Sequence, residues 1–438
     1  MKFFDSIKQR FDNLLIDQQP SRADSNAQTI NERTPYQGPI TFLKQLVPIG
    51  QLDEQQLSEL RIFKISYEPG AIIFNRGEST ESLLYLLSGV VHLETAGRQG
   101  LDIAAGTFEA LHPLSSGEYR NVTAICKKQA EVISIPKLAM DLYRQRYNIN
   151  PKRLLDLPES YQDNALLNKF IAADNLVMPA LPDVAIKLRE AMRKDIGIAD
   201  VAKIVMLDPA ISAKLIQVAN SPFYRSVSPI TTCHNAINRI GLLSTKNIVT
   251  SISLRSLYKN KRNELNILAR NYWKQSIRIS ALSYTLAKLT DCRDPEEALL
   301  AGLITNIGIV PFLKFADNQA DDVYSLEEVH SALPFVTGAL SALILDKWHF
   351  PDDMKNIPLE TQNWFLPGDD TQTSLADIVL LAKYHRHIGA ESMAKLPPIT
   401  SLPSYAHIKH AELTPDKSLK ILHDAKQQIN EAMQFFSA

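Results

Sequence analysis

The sequence predicts an α+β multidomain protein, a small N-terminal β jelly-roll followed by an all-α helical bundle. Three observations carry this. A chain of 438 residues exceeds one ordinary hydrophobic core. Between Tyr67 and Pro136, short runs of β-branched and aromatic residues alternate with glycine corners, as in a small antiparallel roll. From Ala165 almost to the end, the apolar period becomes helical.

The composition is ordinary for globular domains, with 45% apolar and 22% charged residues. Forty-seven basic residues against 48 acidic ones give a net charge of -1, so nothing global favours nucleic acid or an anionic membrane as partner. Cys126, Cys233 and Cys292 lie far apart with no Cys-x-x-Cys pair, which argues against a disulfide framework or a cysteine-rich zinc site. Met1 to Leu15 lacks the unbroken apolar core of a signal peptide, and no later run approaches the ~20 apolar residues of a membrane span. A soluble, cytoplasmic protein is expected.

Taken in order, Phe3, Phe4, Ile7, Phe11, Leu14 and Leu15 recur at helical spacing. This short amphipathic helix is expected to dock on its own protein or on a dimer mate, since few basic residues attract it to lipid. A polar linker follows, so residues 1–36 form helix and linker. Helical patterns around Ile40–Val47 and Asp53–Phe63 precede the strand runs Tyr67–Glu78 and Leu83–Leu93. A late strand, Ala130–Pro136, leads into a helix from Pro136 to Tyr147. The roll therefore spans 37–147. A connector, 148–170, holds Pro151 and Pro158.

In the helical half, a helix starts near Asp183 with Val184, Leu188 and Met192 on one face, and Ile198–Leu207 gives a second. Asp208-Pro209 supplies an N-cap residue and a proline at the first helical position, where its missing N–H costs nothing. Ile211, Leu215 and Ala219 form the buried face of that third helix. Thr232–Leu254 has a helix-turn-helix look, yet only Arg239, Lys246 and Arg255 are basic there, so its glycine reads as a packing turn. Leu299–Val310 is an apolar helical segment carrying the small polar pair Thr305-Asn306. In the last run Leu419, Leu422, Ala425, Ile429 and Met433 share a face and should close the bundle.

Two resemblances sharpen these readings. Residues from about Gln37 to Tyr147 resemble the cyclic-nucleotide-binding family, through the glycine after the first strand, the core strand Leu84-Tyr85-Leu86-Leu87-Ser88-Gly89 and the late strand before a helix. The resemblance implies a Gly-Glu pair for the ribose and an arginine some nine residues later for the cyclic phosphate, a guanidinium fork matching phosphate oxygens. Arg120 sits correctly, but the Gly-Glu pair falls on Ala110-Leu111; Glu109 is two positions early. Arg120 and Glu109 are thus the candidates for an anion site in a roll expected to have lost ordinary cyclic-nucleotide affinity.

The second resemblance covers roughly Phe170 to Leu366. Leu181-Pro182, Asp208-Pro209-Ala210 and Lys214-Leu215-Ile216-Gln217-Val218-Ala219-Asn220-Ser221-Pro222-Phe223-Tyr224 look like the HDOD family, the HD-related output domain of bacterial signalling proteins. Ala236–Leu242, Trp273-Lys274-Gln275-Ser276, Glu296–Leu303 and Trp348-His349-Phe350-Pro351 follow in that family's order. The resemblance implies an HD-like bundle over 171–366, with C-terminal helices over 367–438 packing on it.

HD phosphohydrolases hold a divalent cation between histidines and carboxylates. By that resemblance the first histidine is replaced by Gln275, the His-Asp pair by Thr305-Asn306, and the late aspartate by Lys383; Pro334 stands where a further histidine often lies. A protonated lysine and a proline ligate nothing, and neutral amides leave a divalent charge uncompensated. No metal, no cofactor and no catalytic residue is therefore expected. His385 and His387 cannot face one way on a helix, His407 and His410 are a faint pair, and Ser251, Ser253 and Ser256 have no base or glycine elbow.

The reading is a non-catalytic bacterial signal-transduction protein, a scaffold or ligand-responsive output module. Its expected partners are signalling proteins, with a nucleotide second messenger and a second copy of the chain as further candidates, but no nucleic acid and no membrane span. Alternatives are a metal-dependent HD-type phosphohydrolase with an unconventional site, and a cyclic nucleotide sensor.

Overall fold

The computed structural model describes residues 33–97, 100–146, 161–173, 177–194, 196–221, 224, 228–320, 324–366, 372–408, 412–413, 419–427, 429–430 and 433. The expected N-terminal amphipathic helix, most of the connector, Pro222-Phe223 and His410 lie outside the described residues.

The N-terminal half is one antiparallel sheet of six strands: β1 (Arg33–Pro35), β2 (Phe63–Tyr67), β3 (Ile72–Phe74), β4 (Ser82–Glu94), β5 (Gly100–Ala104) and β6 (Thr123–Pro136). Their order is β1-β2-β6-β4-β5, and β3 also pairs with β6. Strand β6 is the shared central strand: Tyr67 meets Ala130, Ile72 meets Ile125 and Tyr85 meets Ile133. The period of two then sorts the side chains. On β4, Leu84 and Leu86 turn into a roll core with Phe74, Val91, Ile103 and Val132. Leu83 and Tyr85 turn the other way, into the core that runs on into the helices. Each buried leucine contributes roughly 1.5–3 kcal/mol, so a one-residue slip in register would be costly.

Two short helices, α1 (Ile40–Leu43) and α2 (Glu54–Glu59), and then α3 (Leu138–Arg146), cover that outer face. Asp53 caps α2 in a capping box with Gln56. The bundle comprises α4 (Ala165–Ile171), α5 (Asp183–Met192), α6 (Ile198–Val205), α7 (Pro209–Ala219), α8 (Cys233–Ile240), α9 (Leu242–Leu254), α10 (Asn263–Thr290), α11 (Pro295–Ile304) and α12 (Ile309–Asp317). It continues with α13 (Leu326–Lys347), α14 (Asp352–Lys355), α15 (Ile357–Glu360), α16 (Leu375–His385), α17 (Pro403–Ala406) and α18 (Lys420–Asp424). Asp208 caps α7 as expected, accepting from Ala210 N at 2.9 Å and Ile211 N at 3.1 Å. Between α8 and α9, Gly241 has φ +91 with open space around it, so the backbone turn itself requires the glycine.

Two expectations need correcting. Leu299–Val310 is not one helix: α11 stops at Ile304, residues 305–308 form tight turns, and α12 begins at Ile309. The cause is a close crossing with α13. Gly308 N donates to Ser341 Oγ at 2.8 Å, and that hydroxyl donates to Thr305 O at 3.2 Å. A Cβ at Gly308 would lie 2.2 Å from Thr337 O, so only glycine fits. Second, the stretch Pro295–Asp317, which is α11, the turns and α12 together, and helix Leu326–Lys347 are long and apolar enough to cross a membrane, yet 89% and 61% of their apolar windows are buried inside the protein. They pass the test because core helices of a large bundle are apolar all round.

Candidate functional site

The positions expected from the HD pattern converge on one cleft. Long helix α10 brings Tyr272 and Gln275, the turn after α11 brings Thr305 and Asn306, α13 brings Pro334, Thr337 and Gly338, and α16 with its C-cap brings Lys383 and Arg386. The cleft has a volume of about 230 Å³. Its wall is held by internal bonds. Ser280 Oγ donates to Leu299 O at 2.6 Å, which fixes α10 against α11. Thr305 and Thr361 hydroxyls lie 3.4 Å apart, and Asn306 Nδ2 donates to Ser276 Oγ at 3.5 Å.

Where a late carboxylate would complete a metal site, Lys383 extends its ammonium to Thr361 Oγ1 at 2.7 Å. Burial, with the repulsion of Arg386, pulls the Lys383 pKa down to about 7. Arg386 donates to Gln275 Oε1, and its Nη2 donates to His387 Nε2 at 2.9 Å. Its Nε is buried without a partner. Burial also lowers the Arg386 pKa, Tyr272 opposing and Arg278 adding to the effect. No carboxylate lines the cleft, and no group of three His, Cys, Asp or Glu side chains able to hold a metal occurs among the described residues. The donor set of Gln275, Thr305, Asn306 and Lys383 therefore does not fit a divalent cation: it offers neutral oxygens, one of them already held by a guanidinium, beside two cationic groups.

The two histidines flanking Arg386 part company. His385 is buried in α16, its Nδ1–H donating to Leu381 O at 2.7 Å while Nε2 accepts from Leu419 N at 2.8 Å. That pattern fixes the neutral tautomer. His387 faces Ser392 Oγ at 2.7 Å. His407 instead pairs with Asp377 at 3.0 Å, both side chains nearly inaccessible. Burial would raise Asp377, but the bonds from His407 and Ser374 prevail and hold it below the usual carboxylate range. Ser251, Ser253 and Ser256 bond to carbonyls of their own helical stretch.

In the roll, Arg120 is 5% exposed and satisfied internally. Its Nη1 donates to Ser115 O at 3.2 Å and Nη2 to Ser82 O at 2.6 Å, and the guanidinium lies over the Phe74 ring at 4.5 Å. Burial lowers its pKa to about 10 against the pull of Glu78 and Tyr67. Glu109 opens the short 3₁₀ turn Glu109–Leu111, and no hydrogen bond or ion pair joins it to Arg120 among the described residues.

The loop that carries Arg120 is also where the two halves meet, which the sequence reading did not foresee. Ser116 Oγ donates to Ser401 O at 2.5 Å and Asn121 Nδ2 to Thr400 O at 3.2 Å. The His112 ring stacks on Phe365, centroids 6.2 Å apart. Gly117 has φ +102, and a Cβ there would lie 2.6 Å from Ala406 Cβ. The segment 397–406 in turn hangs on α16, where Tyr384 OH donates to Pro397 O at 3.0 Å. Gln362 and Arg386 of the cleft, and Thr361 behind Lys383, were not expected there; only Arg386 left a sequence signal, lying three residues after Lys383 on one helix face.

Comparison with known proteins agrees with both resemblances. The family model of the HDOD domain matches residues 178–363, and that of the cyclic nucleotide-binding domain matches residues 64–147. A solved structure from Shewanella amazonensis SB2B, provisionally named a metal-dependent phosphohydrolase, is 24% identical with a TM-score of 0.54, covering 63% of this chain and 99% of its own. One from Marinobacter aquaeolei VT8, provisionally named a signal transduction protein, is 16% identical with a TM-score of 0.45, covering 72% and 76%. An uncharacterised protein of Treponema pallidum (strain Nichols) is 22% identical over 194 residues, a stretch that spans 41% of this chain and 36% of that relative. With a roll and a helical bundle in the expected order and both family models matching them, the chain carries a domain of the cyclic nucleotide-binding type followed by an HDOD domain.

Proposed function

We propose that this protein is a non-catalytic, cytoplasmic signal-transduction module in which the helical domain presents a regulated surface to a protein partner and the roll biases its state. One observation supports the reading: the positions at which the HD resemblance expects metal ligands converge on a cleft lined by Lys383 and Arg386 and by no carboxylate. A metal-bound hydroxide would lack the carboxylate and imidazole ligands that hold its cation. The roll acts through its Ser115–Asn121 loop, in which Ser116 and Asn121 are bonded to the bundle. A ligand, a second copy of the chain or a partner that strains this loop shifts the orientation of the two halves, provided it binds the two arrangements differently.

The test is elemental analysis of the full chain with turnover assays on nucleotide and phosphodiester substrates in Mn²⁺ or Mg²⁺. The expected result is no stoichiometric metal and no metal-stimulated turnover. Turnover that Thr305→Ala and Asn306→Ala abolish would overturn the reading and restore the phosphohydrolase alternative. Calorimetry with cyclic AMP and cyclic GMP distinguishes the cyclic nucleotide sensor, and Arg120, already engaged with Ser115, Ser82 and Phe74, argues for no heat.

A further inference from the structure

We propose that the cleft between α10, α13 and α16 is an anion site, built to seat the phosphoryl group of a small phosphomonoester between Lys383 and Arg386. The proposal rests on the reading that this cleft holds no metal.

Charge comes first. Lys383 and Arg386 stand three residues apart at the C-terminal end of α16, on one face, with Arg278 close enough to act on Arg386. The cleft lining has no acidic residue to neutralise them. The larger groove of about 570 Å³ beside α5 and α7 makes the contrast, since Asp183 and Asp208 stand there among Lys187, Lys214 and Arg255. Two neighbouring cations without a carboxylate destabilise a fold, and a phosphomonoester carrying about -1.5 to -2 at neutral pH offsets that cost.

Geometry comes second. A tetrahedral phosphoryl group offers three acceptor oxygens, more than a carboxylate. The cleft offers the Lys383 ammonium and Arg386, whose Nε is buried and unpartnered while both Nη atoms are engaged. Those bonds to Gln275 and His387 hold the guanidinium plane in position before any ligand arrives. The carboxamides of Gln275, Asn306 and Gln362 line the same space and suit the hydroxyls of a sugar or polyol. At ~30 Å³ per water the volume of about 230 Å³ equals roughly eight waters, enough for a phosphoryl group and a few further heavy atoms.

Position gives the site a use. Tyr384, next to Lys383, holds Pro397, and the segment that follows contacts the roll through Thr400 and Ser401. Drawing Lys383 from Thr361 toward an anion moves the helix on which the interdomain segment hangs.

The experiment is isothermal titration of the full chain with inorganic phosphate, glycerol 3-phosphate and malonate, repeated on Lys383→Gln and Arg386→Gln. Glycerol 3-phosphate should bind near pH 6.5 without added metal, more tightly than inorganic phosphate, and each variant should weaken it by roughly tenfold or more. Should Lys383→Gln fail to fold, Arg386→Gln decides. No heat up to about 10 mM, equal binding by both variants, or binding of malonate alone overturns the anion site. Elemental analysis of the same sample separates the two readings: metal present sinks both, whereas no metal and no binding sinks only this one.

Discussion

Lys383 is a cation whose burial costs stability, and its protonation gives that cost a pH signature. Its folded pKa of about 7 lies below the ordinary 10.5. Between those values the unfolded chain holds more protons, so stability rises with pH across that window; below about 7 the penalty is fully present. Arg386 and His387 flank it, Tyr272 and Arg278 stand on α10, and Glu360 and Asp377 lie on the neighbouring α15 and on α16. We expect Lys383→Met to remove a slope of at most about 1.4 kcal/mol per pH unit, the limit for a single proton bound in the unfolded and not in the folded chain. Urea unfolding from about pH 7 to about pH 10 measures it; an unchanged slope would place the ammonium in ordinary solvent.

At the scale of elements, the turn 305–308 decides the shape of the cleft. Had α11 run on through Thr305 and Asn306, the helical pitch would have set where those two side chains point. Instead the contact of Gly308 with Thr337 and Ser341 on α13 stops the helix and holds Thr305 near Thr361. Gly308→Ala would put a methyl 2.2 Å from Thr337 O and 2.4 Å from Ser341 N, both backbone atoms. The expected loss is about 2–4 kcal/mol, read as a fall in thermal midpoint, because neither helix can give way without opening the core. Caps behave more locally. Ser325 with Glu328 and Ser374 with Asp377 start α13 and α16 through short-range bonds alone.

For the whole molecule, the two halves share one continuous apolar core in which Leu83, Tyr85, Ile133 and Tyr143 join the bundle residues. Asn363 Nδ2 donates to Tyr143 OH across the same joint. The roll and bundle should therefore unfold in a single transition. Gly117→Leu, which drives a side chain into Ala406, should split it into two and raise the radius of gyration in X-ray scattering. A variant that still unfolds in one step would mean that the shared apolar core couples the halves without the Gly117 loop. Residues Leu419, Leu422 and Ile429 are buried in the same apolar core as the bundle.

The legible part was whatever depends on residues close in the chain. Alternation marked the strands, the 3.6 period marked the helices, and Asp208-Pro209 marked the start of α7, because backbone geometry couples neighbours within a few positions. The motif order likewise named both domains, and Gln275, Thr305, Asn306 and Lys383 were expected from the resemblance to belong to one site. What those residues form was a matter for tertiary structure. Gln275 and Lys383 are 108 positions apart, and Ser116 and Ser401 are 285 apart. No local period reports such distances, so the cationic cleft, the broken helix at Gly308 and the docked Arg120 loop follow only from which faces pack together.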